Sequence, residues 1–151
     1  MIELWIIRHG QTYDNISKTL AKYDGGKLTE LGKKQAIQCG ERLKNESFDT
    51  TYVSDLNRTR ETFDGINSVR TDNLKQNMFH TNLLREKWAG DAQGMTYNQF
   101  HELSKQDRNF KLNNGECWND VNKRPTRVTD TLRKSTRHTK IEKLKYKQQI
   151  K

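Results

Sequence analysis

Arg8, His9 and Arg58 are placed where an α/β protein would bind an anion. Arg8 and His9 directly follow the apolar run 4–7 and precede Gly10. A continuous apolar run is typical of a strand buried on both faces of a parallel sheet, and such sheets bind ligands at the carboxyl ends of their strands. Arg58 falls in the first turn of a predicted helix, where free backbone N–H groups favour an anion and a guanidinium strengthens the site.

The remaining patterns supply the elements that would position these side chains. Thr29 predicts the cap of a helix over about 30–45, and Ser54 or Asp55 predicts the cap of the helix that carries Arg58. Residues 48–54 are rich in β-branched and aromatic residues and predict a second strand, and residues 78–80 predict a short third strand. The capping box at 96–99 predicts a further helix, with Phe100 and Leu103 on its inner side. Strands that alternate with helices in this way predict an α/β fold.

Five segments, in order along the chain, carry a resemblance to a known family. They are residues 5–15 (RHG(E/Q)TxxN), 28–36 (LTxxGxxQA), 54–62 (SDLxRTxxT), 84–90 (LxExxxG) and 115–117, where GEC stands for the family's GES. Together they resemble the histidine phosphatase superfamily, in its branch of phosphoglycerate mutases and fructose-2,6-bisphosphatase-like enzymes. The resemblance spans about residues 2–121. It implies an α/β three-layer sandwich with a mainly parallel sheet, phosphoglycerate-mutase-like but C-terminally incomplete.

The resemblance also implies a role for each matched side chain. His9 would be the catalytic nucleophile, Arg8, Asn15 and Arg58 would bind phosphate, and Glu86 would be the catalytic proton donor. A neutral imidazole can attack phosphorus, guanidinium groups match phosphate oxygens, and an alkoxide leaves poorly unless it is protonated. The implied chemistry uses no metal and no cofactor. Because Glu86 must hold a proton, we expect it to be partly buried.

Each of these residues taken alone also has an ordinary structural interpretation, as a loop histidine, a surface arginine or a solvated carboxylate. Their occurrence together and in the family's order favours the catalytic interpretation. The implied substrate is a small phosphomonoester, such as a sugar or glycerate phosphate. Hydrolysis is favoured over mutase activity, which needs a more closed pocket. His80, His101 and His138 match no family position and are interpreted as ordinary polar residues.

One part of the family pattern is missing after residue 121. The family has a second catalytic histidine in a His-Gly turn, at the end of a strand that lies beside the first strand. No apolar strand precedes His138 and no glycine follows it, so the role is not transferred. Loss of such a donor predicts a rate lower by about a hundred- to a thousandfold. It also predicts that the first strand has an unpaired edge.

The charge changes at the same point in the chain. The 151 residues carry a formal charge of +9, but residues 1–121 hold 17 basic and 17 acidic side chains, whereas residues 122–151 hold 11 and 2. The later stretch contains no two adjacent hydrophobic residues. We therefore predict two domains, a truncated histidine-phosphatase-like domain at 1–124 and a basic, partly helical or disordered tail at 125–151.

Three hypotheses account for this change. In the first, the sequence after about Arg124 is altered, for instance by a shifted reading frame. In the second, the chain is a catalytically disabled, phosphate-binding relative that docks through its basic tail. In the third, a partner supplies the missing strand. The single aromatic residue of the tail, Tyr146, argues against nucleic acid, so an acidic protein partner or assembly is the expected partner of 125–151.

Two cysteines and no apolar leader predict a cytoplasmic protein.

Overall fold

The computed structural model describes residues 2–22, 24–105, 107–124 and 144–149. Parallel strands alternate with helices along the chain, which confirms the predicted α/β class. The strands are β1 (Ile2–Ile7), β2 (Thr51–Ser54), β3 (Met78–Thr81) and β4 (Leu144–Gln149), and the helices are α1 (Tyr13–Ser17), α2 (Glu30–Arg42), α3 (Asn57–Asn67) and α4 (Tyr97–Ser104). Three 3-10 turns lie at Leu74–Asn77, Asn82–Leu84 and Gly90–Ala92. Residues 118–124 are also helical.

The strands form two parallel ladders. β1 pairs with β4, with Ile2 opposite Leu144 and Ile7 opposite Gln149, and β2 pairs with β3. Among the described strands β4 is the one partner of β1, and the unpaired edge of β1 stays a prediction. Of the predicted tail at 125–151, residues 144–149 form β4 and residues 125–143 lie outside the described ranges, so the division into two domains also stays a prediction. The tail lacks a continuous apolar run, but the alternation of Leu144 and Tyr146 with lysines has the two-residue period of a strand.

Helices α2 and α3 pack on each other and supply much of the core. α2 begins after Thr29, whose side chain accepts a hydrogen bond from the Gly32 amide, as predicted. Four residues at helical spacing along α2 and its C-cap are buried: Ala36, Cys39, Gly40 and Leu43. Phe63 and Ile66 of α3 join this core, which extends to Val53 of β2. The core therefore lies behind the strand ends that carry the predicted site.

Several local predictions were wrong in an informative way. The cap of α3 is Leu56, without a side-chain hydrogen bond, because Ser54 still belongs to β2. α4 has the predicted Thr96 and Gln99 capping box, but Leu103 is half exposed. Ile6 of β1 is 41% exposed, so β1 is not buried on both faces. Within the described ranges, no helix has the length and apolar character needed to cross a bilayer.

Candidate active site

His9 lies just beyond the end of β1, in a loop held by backbone contacts to two helices. The Gly10 amide donates to Oγ1 of Thr62 on α3 (3.1 Å), and that hydroxyl donates in turn to the Arg58 carbonyl (2.7 Å). A Cβ on Gly10 would lie 2.4 Å from the carbonyl oxygen of Gly32, so the loop and α2 approach too closely for a side chain. Thr62 and the two glycines thus fix the backbone next to His9.

The imidazole of His9 is held in one tautomer. Its Nδ1 lies 2.8 Å from the Gly10 carbonyl oxygen, and because a carbonyl can only accept, Nδ1 carries the proton. Nε2 therefore has a free lone pair when the ring is neutral. Burial lowers the pKa of His9, and the positive charges of Arg58 and Arg8 act in the same direction, against the Gly10 hydrogen bond and Glu86. The ring is thus neutral at pH 7, as a nucleophile requires.

Asn15 is oriented by the cap of the short helix α1. Thr12 is buried, and its Oγ1 accepts from the Asn15 amide, while Asn15 Oδ1 accepts from the Thr12 amide (3.0 Å). This reciprocal capping box uses the oxygen of the Asn15 side chain. The amide NH₂ of Asn15 is left as the group that can donate to an anion.

Arg58 lies in the first turn of α3, as predicted, and is only 3% exposed. Its Nη2 donates to Oε2 of Glu86 (3.0 Å), whereas its buried Nη1 has no hydrogen-bond partner among the described residues. Gly26, at φ +82°, makes room for this guanidinium, because a Cβ there would lie 3.0 Å from Nη1. A buried, unpartnered guanidinium N–H is costly unless an acceptor binds it.

Glu86 lies on the opposite side, in the loop after the 3-10 turn Asn82–Leu84. Its side chain is 62% exposed, so the predicted partial burial is wrong; its charge is balanced by Arg58 instead. The neighbouring Arg85 forms a two-bond ion pair with Asp55 at the end of β2, with distances of 2.6 and 2.5 Å. The Glu86 loop is thereby tied to the strand edge.

The five predicted site residues all line one cleft. Arg8, His9, Asn15, Arg58 and Glu86 surround it, together with Thr12, Leu20, Ala21, Lys87, Ala89 and Tyr97. The sequence prediction thus selected residues that the fold brings together, although their roles stay predictions. Of the histidines in the described ranges, His9 alone lines this cleft. His80 is exposed and His101 lines a neighbouring cavity, while His138 lies outside the described ranges.

The neighbouring cavity has a volume of about 300 Å³ and shares Leu20, Lys87 and Tyr97 with the cleft. The ammonium of Lys87 lies 4.6 Å from the ring centre of Phe100 and 5.9 Å from that of Trp118. Burial lowers the pKa of Lys87. The cavity therefore offers aromatic surface and a cation next to the cleft.

Sequence analysis missed three residues that support the site. Thr62 and Gly26 contact the arginine and the loop directly, and Arg124 binds the carbonyl oxygens of the Glu86 loop. Thr62 closes the motif at 54–62, which was a usable signal. Arg124 was counted with the basic stretch, and nothing local in the sequence distinguishes it from a solvated arginine. The described part of the chain holds no group of three histidine, cysteine or acidic residues suited to a metal ion.

The cleft thus combines residue types that can bind and transfer a phosphoryl group, namely two arginines, a histidine and a glutamate, within an α/β fold. The chain belongs to the histidine phosphatase superfamily (branch 1), whose family model matches residues 4–141.

Named relatives within that superfamily include phosphatases. A broad-specificity phosphatase of Saccharomyces cerevisiae is 34% identical over 98 residues, which are 63% of this chain and 42% of the relative. The fructose-2,6-bisphosphatase TIGAR of Mus musculus is 31% identical over 103 residues, or 68% of this chain and 38% of the relative. The matched region is thus less than half the length of either relative.

The fold comparison agrees with the sequence comparison. A mycobacterial glucosyl-3-phosphoglycerate phosphatase superposes with a TM-score of 0.71 at 26% identity, covering 89% of this chain and 63% of that structure. The predicted phosphoglycerate-mutase-like architecture is confirmed by structural neighbours of this kind.

Proposed function

We propose that this chain hydrolyses a small phosphomonoester, such as a sugar or glycerate phosphate, through a phosphohistidine on His9. Arg8, Arg58 and the Asn15 amide bind the phosphoryl oxygens, and Glu86 donates a proton to the leaving-group oxygen. The fold, the family and the phosphatase relatives support hydrolysis as the reaction. The residue roles and the substrate class are this proposal's own.

The first half of the reaction transfers the phosphoryl group to the histidine. The Nε2 lone pair forms the P–N bond as the P–O bond to the leaving group breaks, and the carboxyl proton of Glu86 passes to the departing oxygen. Phosphorylation of Nε2 makes the ring cationic, and the Nδ1–H bond to the Gly10 carbonyl stabilises that charge. The arginines disperse the charge of the transferring group.

The second half returns the site to its starting state. A water molecule attacks phosphorus, the Glu86 carboxylate takes its proton, and the P–N bond breaks with its electrons returning to Nε2. Inorganic phosphate and the alcohol are the products.

The observation that carries this proposal is the arrangement around Arg58. Its buried guanidinium has one partner, Glu86, and one unpartnered N–H among the described residues, in the cleft that also contains the neutral imidazole of His9. A phosphate oxygen would satisfy that donor with a charge-assisted hydrogen bond. The adjoining cavity of about 300 Å³, which shares Leu20, Lys87 and Tyr97 with the cleft, gives the leaving group room.

The test is turnover of p-nitrophenyl phosphate by the full chain and by two histidine variants. His9→Ala should lower kcat by at least about a thousandfold, because no other described histidine lines the cleft. His80→Ala is the matched control, since His80 is exposed and outside the cleft, and it should keep full activity. Equal activity of His9→Ala and the unaltered chain would contradict the proposal.

A second candidate function is phosphate binding with little turnover, docked to an acidic partner through residues 125–151. It is favoured by the single histidine among the cleft-lining residues that the structure describes. Phosphate binding without detectable turnover, lost in Arg58→Ala, would support this candidate over the hydrolase.

A further inference from the structure

A contact network outside the cleft holds the backbone on both sides of Glu86. Nη1 of Arg124 donates to the Arg85 carbonyl (2.8 Å), and Nη2 donates to the Glu86 carbonyl (3.3 Å). Nη2 also donates to Oε2 of Glu116 (3.0 Å), and the same carboxylate oxygen accepts from the Trp88 amide (2.8 Å). One arginine and one glutamate thus bind the backbone of three loop residues, Arg85, Glu86 and Trp88.

Glu86 needs such support because its own side chain is poorly fixed. It is 62% exposed and, among the described residues, its one side-chain hydrogen bond comes from Arg58, which the substrate would also contact. Packing alone therefore does not fix the carboxyl position. By contrast, Arg124 and Glu116 are 16% and 24% exposed, so their ion pair is largely shielded from water. Charge-assisted bonds in that setting hold geometry well.

The position of Arg124 leaves one of its buried nitrogens without a hydrogen bond, which is unfavourable by itself. Nε of Arg124 is buried and has no hydrogen-bond partner among the described residues. Lysine could not replace the guanidinium, because a point charge cannot bridge two carbonyls and a carboxylate with fixed geometry. The shape of arginine is thus what this position uses.

We infer that Arg124, with Glu116, is a positioning residue that holds Glu86 at the leaving-group oxygen. The inference rests on the proposed function, in which Glu86 donates the proton. Arg124 then contributes to proton transfer and not to phosphate binding, because Arg124 contacts the loop backbone and does not line the cleft. A loss confined to leaving groups that need a proton distinguishes this role from a general structural one.

The experiment compares Arg124→Gln with Arg70→Lys on two substrates. Arg70 is the matched control, because it also binds two carbonyls, of Leu43 and Glu46, and a carboxylate, of Asp72, away from the cleft. Nitrophenolate leaves without a proton, whereas the alkoxide of glycerol 3-phosphate needs one. We expect Arg124→Gln to lower kcat/KM for glycerol 3-phosphate about tenfold or more, and kcat/KM for p-nitrophenyl phosphate less than threefold, because kcat/KM reports only the steps up to the phosphohistidine. Arg70→Lys should leave the ratio of the two rates unaltered.

A milder variant covers the case in which Arg124→Gln fails to fold. Glu116→Gln keeps an acceptor for the Trp88 amide but removes the charge that Arg124 binds, so the rate ratio should shift in the same direction by a smaller factor. Equal losses on both substrates in these variants would overturn the inference while leaving the proposed function intact. Absence of turnover by the unaltered chain would instead overturn the proposed function, and the inference with it.

Discussion

The two sides of the cleft are organised by different means. On the phosphate side, His9 and Arg58 are largely buried and are connected through the Thr62 hydroxyl to both the β1 loop and α3. On the side of the proposed proton donor, Glu86 is exposed, and its loop is held instead by a hydrogen bond from Arg124 and by one that the Trp88 amide donates to Glu116. Two charged groups of one cleft are thus held in different ways: Arg58 is held by burial of its side chain, and Glu86 is held through the backbone of its loop.

The largest effect should come from the buried side. Arg58→Ala removes both the partner of Glu86 and the unpartnered donor, so we expect affinity for inorganic phosphate to fall by about a hundredfold or more. Arg60→Ala is the matched control, because Arg60 is exposed on the same helix. Isothermal titration calorimetry measures both affinities, and equal losses would show that general charge, not the buried site, binds phosphate.

The proton side should give an effect that depends on the leaving group. Glu86→Gln keeps the size of the side chain and removes its exchangeable proton, so hydrolysis of glycerol 3-phosphate should slow by about a hundredfold. The value of kcat/KM for p-nitrophenyl phosphate should change little, because kcat/KM reports only the steps up to the phosphohistidine and nitrophenolate leaves without a proton. Steady-state kcat/KM values for the two substrates measure the difference. An equal loss of kcat/KM on both substrates would mean that Glu86 acts on phosphate binding rather than on the proton of the leaving group.

The connection between the β1 loop and α3 predicts a change in stability. Thr62→Val keeps the shape of the side chain but leaves the buried Gly10 amide without its acceptor, so the free energy of unfolding should fall by about 1–3 kcal/mol. Thr62→Ser retains the hydroxyl and should recover most of the loss. Urea denaturation followed by circular dichroism measures both, and similar stabilities of Thr62→Val and the unaltered chain would remove Thr62 from the account.

The smallest expected effect is on the pH dependence. Because burial lowers the pKa of His9 below 6.5, the usual value for histidine, the nucleophile stays neutral until the pH falls below that value. The acidic limb of the profile of kcat/KM should therefore lie below pH 6.5. Rates between pH 4.5 and 8 test this, and a limb at or above 6.5 would show that the arginines and burial do not act on His9.

The same two sides explain what could be predicted from the sequence. His9 and Arg58 follow local signals, a strand end and a helix start, so the sequence was sufficient to place both in one cleft. The burial of Glu86 was predicted wrongly because it depends on where a loop without periodicity lies. Arg124 is 38 residues away from Glu86 along the chain, and only the tertiary fold shows that they meet.

The strand β4 was missed for a related reason. Its sequence has alternating lysines in place of the apolar run that identified β1, and the strand is defined by its pairing with β1. Backbone hydrogen bonds do not depend on the side chains that a sequence pattern detects. The change from a charge-balanced to a basic stretch therefore does not mark the end of the fold.

In the proposed reaction, His9 carries the phosphoryl group. The most direct measurement is to mix the full chain with a ³²P-labelled phosphomonoester, quench it within milliseconds and test the protein for bound phosphate. We predict label that is stable in base, lost in acid, located on the peptide containing His9 and absent from His9→Ala. Turnover with no labelled protein in the millisecond samples, or label that persists in His9→Ala, would contradict a phosphohistidine on His9.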